Sequence, residues 1–150
     1  MRGAASAAYQ QLLVQQALQG EKVRRFMAKE PVTVPPETSV HDFIENYLYK
    51  YDYDVFPITG NGMLVGCASL RQAKTVPRER WNDVRVGDIC EECGDTNTVD
   101  AAADASEALA KMQKSQNGRL MVTERNTLVG VLTLKDLLRY LQMRTELEGA

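Results

Sequence analysis

"LVGVLTLKDL", residues 128–137, and "LVGCASLRQA", residues 64–73, are two versions of one passage, set 64 residues apart. Each opens as an apolar, strand-like run with glycine in third place. Each then passes through a hydroxyl residue, Thr133 or Ser69, into an apolar-striped helix. Upstream, "PVTV" (31–34) returns as "TNTV" (96–99) at an offset of 65. Between these landmarks both halves read helix, strand, turn, strand, helix. Two copies at so long a period describe a duplicated α/β unit, not a stack of short solenoid repeats.

In the first copy Val40, Phe43, Ile44, Tyr47, Leu48 and Tyr51 share one helical face, and Ser39 with Asp42 fits a capping box at its start. The second copy has Asp104 with Glu107 at the same offset, followed by the smaller face of Ala105, Ala108, Leu109 and Met112. "YDVFPI" (53–58) and "RLMV" (119–122) are strand-like, and "GNG" (60–62) and "ERN" (124–126) turn the chain into the repeated passage. Leu134, Leu137, Leu138 and Leu141 stripe the last helix, expected to reach about residue 147. The polar stretch 76–86 reads as a linker with Trp81 as its anchor, and residues 4–19 read as a helix outside the repeat, closed by Gly20. The expected division is a helical extension over 1–22, a first unit over 23–76, a linker over 77–85 and a second unit over 86–150.

Composition narrows the function. With 150 residues, 44% apolar and 25% charged, the chain can bury a core of its own. A net charge of −2 without any basic run argues against nucleic-acid binding. No apolar stretch approaches the roughly 20 residues needed to cross a bilayer, so a cytoplasmic setting is expected. Phosphate-cradling glycine loops and nucleophile–base constellations are absent, and His41 is the only histidine, so no catalysis is expected of this chain.

Two copies of helix–strand–strand–helix, with the entry "PVTV" and the passage "LVG-x-x-[ST]-x-x-D", resemble a tandem pair of CBS domains, the Bateman module, over residues ~23 to 141. That resemblance implies an α/β pair of pseudo-twofold-related units with two clefts for adenine nucleotides. It also implies a homodimer, and regulation of an enzyme, channel or transporter on the same chain. "YQQLLVQQALQGEKVRRFM", "PVTVPPETSV" and the linker "VPRERW" further resemble the C-terminal part of site-2-protease-type intramembrane metalloproteases. On that likeness the module would control a membrane metalloprotease domain at the cytoplasmic face of a membrane. The H-E-x-x-H motif of such proteases is not in this sequence.

Thr133 and Asp136 are the sharpest candidates. A threonine followed three residues later by an acid is a helix cap, worth about 1 kcal/mol. Ser69 with Gln72 satisfies the same logic, so capping alone makes the copies equivalent. The resemblance distinguishes them, because in CBS modules the aspartate accepts from both ribose hydroxyls. A charged, acceptor-only carboxylate suits that role and an amide does not. By the same resemblance Thr98 and Val99 match the adenine-contact segment, Arg119, Leu120 and Met121 a second segment, and Lys135 with Arg119 could neutralise phosphate. Met121 stands where many members have proline, which Pro57 keeps in the first copy. Thr33, Val34, Ser69 and Gln72 make a weaker second cleft.

"CEECG" (90–94) is a C-x-x-C, but only Cys67 and His41 remain to complete a four-ligand zinc site. The expectation is a reduced surface pair and no metal. Two alternatives to nucleotide sensing stand beside it: a ligand-free dimerisation or docking module, and a thiol or metal sensor through Cys90 and Cys93.

Overall fold

The computed structural model describes residues 13–148. Residues 13–18 form helix α1, so most of the helix expected over 4–19 lies outside the described residues. Then follow α2 (Val23–Phe26), α3 (Val40–Phe43), β1 (Val55–Gly60), β2 (Met63–Ser69), α4 (Leu70–Ala73), α5 (Val86–Ile89), β3 (Thr98–Asp100), α6 (Ala105–Ser115), β4 (Arg119–Glu124), β5 (Thr127–Thr133) and α7 (Leu134–Glu148). The mixed α/β architecture expected of a CBS pair is present.

Each hairpin turns at an asparagine, followed by glycine in the first and preceded by arginine in the second. Asn61 and Gly62 have φ of 55° and 80°, Arg125 and Asn126 of 52° and 66°, the left-handed pairs that two-residue hairpin turns demand. Both hairpins carry an irregularity at the same place, between Ile58 and Thr59 and between Val122 and Thr123. The two join through one antiparallel bridge, Met63 to Thr127, giving a five-stranded sheet ordered β1-β2-β5-β4-β3. Outer pairing is also repeated: Thr98–Asp100 run parallel to Met121–Thr123, and Val34 bridges Ile58 in parallel.

The helix expected over 40–51 is α3 continued as a π-turn over Ile44–Leu48. Ser39 accepts from the Asp42 amide at 3.1 Å as its cap. Beyond it, Tyr51 stacks on Tyr53, whose ring lies 5.6 Å from that of Phe56 in the core. The second copy starts differently. Asp104 accepts from the amide of Ser106, not that of Glu107, and also from the Gly20 amide at 2.8 Å, so one carboxylate clamps α1 to α6. Hydrogen bonds, from the Ser106 hydroxyl first and then the Gly20 and Ser106 amides, hold that carboxyl below the usual carboxylate range. On α7, Leu137 is buried but Leu138 is 48% exposed, because one residue is 100° of helical rotation. Trp81 packs against the core of the first copy and donates Nε1–H to the Val76 carbonyl at 3.0 Å.

The two copies exchange their leading segments. Val23 and Arg24 donate to the carbonyls of Ala103 and Ala101, and Ala28 pairs with Val131, all in the second copy. Val86 and Gly87 donate to Thr38 and Pro36, and Glu91 pairs with Cys67, all in the first. Val23 accordingly packs with Leu109, Leu120 and Leu137, while Val86 packs with Phe43, Phe56 and Ile58. This exchange explains the glycine of each "LVG". A Cβ on Gly66 would lie 2.7 Å from the Glu91 carbonyl oxygen, and one on Gly130 2.7 Å from that of Ala28. Only glycine lets the crossing backbone come so near.

Candidate functional site

Because the segments cross, each cleft is built from both copies. One cleft, of about 490 Å³, is lined by Gly118, Arg119, Thr133, Lys135 and Asp136 of the second copy together with Ala28, Asp52, Tyr53 and Asp54. The other, of about 240 Å³, is lined by Val55, Cys67, Ala68, Ser69, Arg71 and Gln72 together with Glu91, Thr96 and Asn97. Pockets for small organic ligands run to roughly 300–1,000 Å³, so the first has room for a nucleoside and the second falls short.

Strand pairing and helix start place the key groups of the larger cleft. Arg119 sits opposite Thr133 in the β4–β5 register, and Thr133 ends β5 where α7 begins. The Thr133 hydroxyl oxygen accepts the Asp136 amide at 3.1 Å, so the helix cap is real. It is one-sided. Among the described residues no hydrogen bond or ion pair engages the Asp136 carboxylate, which is half-buried at the cleft wall. Arg119 reaches across to the first copy, its guanidinium carbon 3.5 Å from the centre of the Tyr53 ring. That cation–π contact, worth about 0.5–2 kcal/mol, fixes the arginine over the aromatic cluster formed by Tyr51, Tyr53 and Phe56.

The smaller cleft uses the corresponding groups differently. Gln72 is 7% exposed, and its Oε1 accepts both the Ser69 amide at 2.7 Å and the Ser69 hydroxyl at 2.6 Å. Ser69 in turn accepts from the Arg71 amide at 3.2 Å. This is a closed capping box, and its side-chain acceptor is fully engaged.

Of the residues read from the sequence as one nucleotide site, four meet: Arg119, Thr133, Lys135 and Asp136. Val99, Leu120 and Met121 are buried and line neither cleft. Thr98 donates its hydroxyl to the Gly94 carbonyl at 3.0 Å, beside Thr96 and Asn97 of the other cleft. In the weaker set Ser69 and Gln72 stand together, whereas Val34 is in the core and Thr33 lines neither cleft. Sequence reasoning did not name Asp52, Tyr53 and Asp54. The aromatic run "YKYDY" was the available signal, since it exceeds what the α3 face needs.

The cysteines also differ from expectation. Cys93 forms a disulfide with Cys67, not a reduced pair with Cys90, the two Cα atoms lying 5.5 Å apart. The Glu91–Cys67 bridge carries Cys93 over β2. Cys90 faces inward, its thiol 3.4 Å from the Gly87 carbonyl, and burial raises its pKa. Among the described residues no group of three or more His, Cys, Asp or Glu is arranged to hold a metal, and no helix is long and apolar enough to cross a membrane.

Known proteins are similar to this chain in sequence and in fold. Rip3 of Mycobacterium tuberculosis, named as a zinc metalloprotease, is 28% identical over 131 residues, covering 86% of this chain and 33% of its own length. The zinc metalloprotease MJ0392 of Methanocaldococcus jannaschii is 27% identical over 130 residues, covering 85% and 35%. The chain thus spans about a third of the length of these curated relatives. In structure it is similar to the CBS domain of a bacterial CNNM/CorC family Mg2+ transporter solved with ATP, at a TM-score of 0.69 and 19% identity, covering 89% of this chain and 95% of that one. The sequence model of the CBS domain matches residues 23–75 and again 86–143. With both halves matched, and both clefts formed between them, the chain belongs to the CBS domain family as a tandem pair, a regulatory module.

Proposed function

We propose that the module senses an adenine nucleotide in one cleft, the one containing Asp136. The carrying observation is the contrast in acceptors: the Asp136 carboxylate has no protein partner among the described residues, whereas Gln72 is closed into its cap. In the proposed complex Asp136 accepts from the two ribose hydroxyls. The Tyr53–Arg119 pair walls the cleft, and Arg119 and Lys135 face the phosphate. Asp52, Asp54 and Asp136 set three carboxylates against these two cations, so a monophosphate suits the cleft better than a metal-free triphosphate. The ATP held by the CorC-family CBS domain supports the ligand class. The metalloprotease names of the relatives support control of an attached protease as the output.

Thermal unfolding with millimolar AMP, ADP, ATP or S-adenosylmethionine tests this. A ligand at 100 times its Kd adds about 2.7 kcal/mol, a shift of several degrees, and AMP is expected to give it. No shift with any of them refutes nucleotide sensing. It would favour the second reading, a dimerisation module, for which Leu138, Met143 and Leu147 leave apolar surface on α7.

A further inference from the structure

The smaller cleft differs from the larger in being stapled. Its floor is β2, from Cys67 to Ser69, and its other wall is the strap 91–97, which carries Thr96 and Asn97. Two backbone hydrogen bonds join strap and floor: the Cys67 amide to the Glu91 carbonyl at 2.7 Å, and the Glu91 amide to the Cys67 carbonyl at 2.8 Å. The second copy has the same pair of bonds between Ala28 and Val131, at 2.8 and 3.0 Å. There Val131 takes the place of Cys67 and no covalent link follows.

From this asymmetry we infer that Cys67 and Cys93 form a reversible thiol–disulfide site that fastens the strap 91–97 across the Gln72 cleft, open when reduced and closed when oxidised. Disulfides in reducing compartments are characteristically transient or sensing, and a bond that closes a cleft between two halves can report the thiol balance as a change of shape. The chemistry needs a low-molecular-weight disulfide as oxidant. Cys93, half-buried, is the accessible sulfur, and Cys67 is 4% exposed. The Cys93 thiolate displaces one thiolate from the oxidant to form a mixed disulfide. Cys67, as thiolate, then attacks the Cys93 sulfur and releases the second oxidant thiolate. Two electrons leave the protein thiols, and the two departing thiolates take up the two protons. Cys90 has no part, since its sulfur is turned towards Gly87 in the wall of the first core.

Hydrogen exchange on the full chain, equilibrated in mixtures of reduced and oxidised glutathione, reads both parts of the inference. Alkylation and mass measurement are expected to show Cys67 and Cys93 titrating together, in wild type and in Cys90→Ser alike. On reduction the amides of Cys67 and Glu91 should exchange roughly tenfold faster or more, while those of Ala28 and Val131 stay unchanged as the internal control. Cys67→Ser and Cys93→Ser should each show the fast pattern in both buffers. A bond that survives millimolar reduced glutathione, a Cys90–Cys93 pairing, or equal exchange at Cys67 and Glu91 in the two redox states would overturn it.

Discussion

The two clefts have the same backbone and opposite fates. In each, a strand ends in a hydroxyl residue that caps the next helix, and a crossing segment from the other half completes the wall. Where the third residue of that helix is Gln72, its side chain folds back on Ser69 and its acceptor is spent in the cap of a smaller, polar cleft. Where it is Asp136, the hydroxyl does the capping alone and the carboxylate is left facing the cleft. One residue's chemistry decides whether a helix start serves only stability or also a ligand.

The largest expected effect separates the covalently tied cleft from the other. Closing a 26-residue separation with Cys67–Cys93 removes chain entropy worth about 3.5 kcal/mol at 25 °C, so reduction should lower the melting midpoint by roughly 10 °C. Denaturant titration with and without reductant checks it, and Cys90→Ser should leave the difference intact. Next, Gly66→Ala and Gly130→Ala should each cost about 1–3 kcal/mol by pressing the crossing carbonyl away. Similar losses at the two sites would sharpen the pseudo-twofold description, and a silent substitution at either would break it.

The capping residues should then come apart. Gln72→Ala is expected to cost about 1–2 kcal/mol and leave nucleotide binding unchanged. Asp136→Asn should move stability by no more than about 0.5 kcal/mol and abolish binding, as read by unfolding and by titration on the same samples. The smallest effect concerns acid. Asp104, matched in the first copy by the uncharged Ser39, has a folded pKa below its ordinary 3.8. Its stabilisation is therefore complete well above that value and is lost as pH falls through the lower folded one. Asp104→Asn should flatten the stability profile below about pH 4, and Ser39→Ala should not.

Much of this fold was legible because duplication doubles each signal. Both "LVG" passages, both turns and both outer strand entries lie where their spacing puts them, and α7 covers the expected stretch through residue 147. What stayed hidden is the crossing. "VRRFM" and "VGDIC" have an apolar residue at each end, and periodicity says that they pack without saying on which half. The placing of Thr98 and Val99 with Asp136 rests on the resemblance alone, and the chain carries their neighbours Thr96 and Asn97 to the opposite cleft. The clue was in Gly66 and Gly130, since a glycine kept inside a strand signals a backbone passing close by. The disulfide was hidden for the same reason: C-x-x-C suggests a local pair, and only the exchange brings Cys93 to Cys67.

Calorimetric titration of the chain with AMP tests the central claim most directly, because it counts sites as well as detecting them. The account predicts one nucleotide per chain, none for Asp136→Ala, and one for Gln72→Ala. Two nucleotides per chain, or one that persists in Asp136→Ala and disappears in Gln72→Ala, would contradict it.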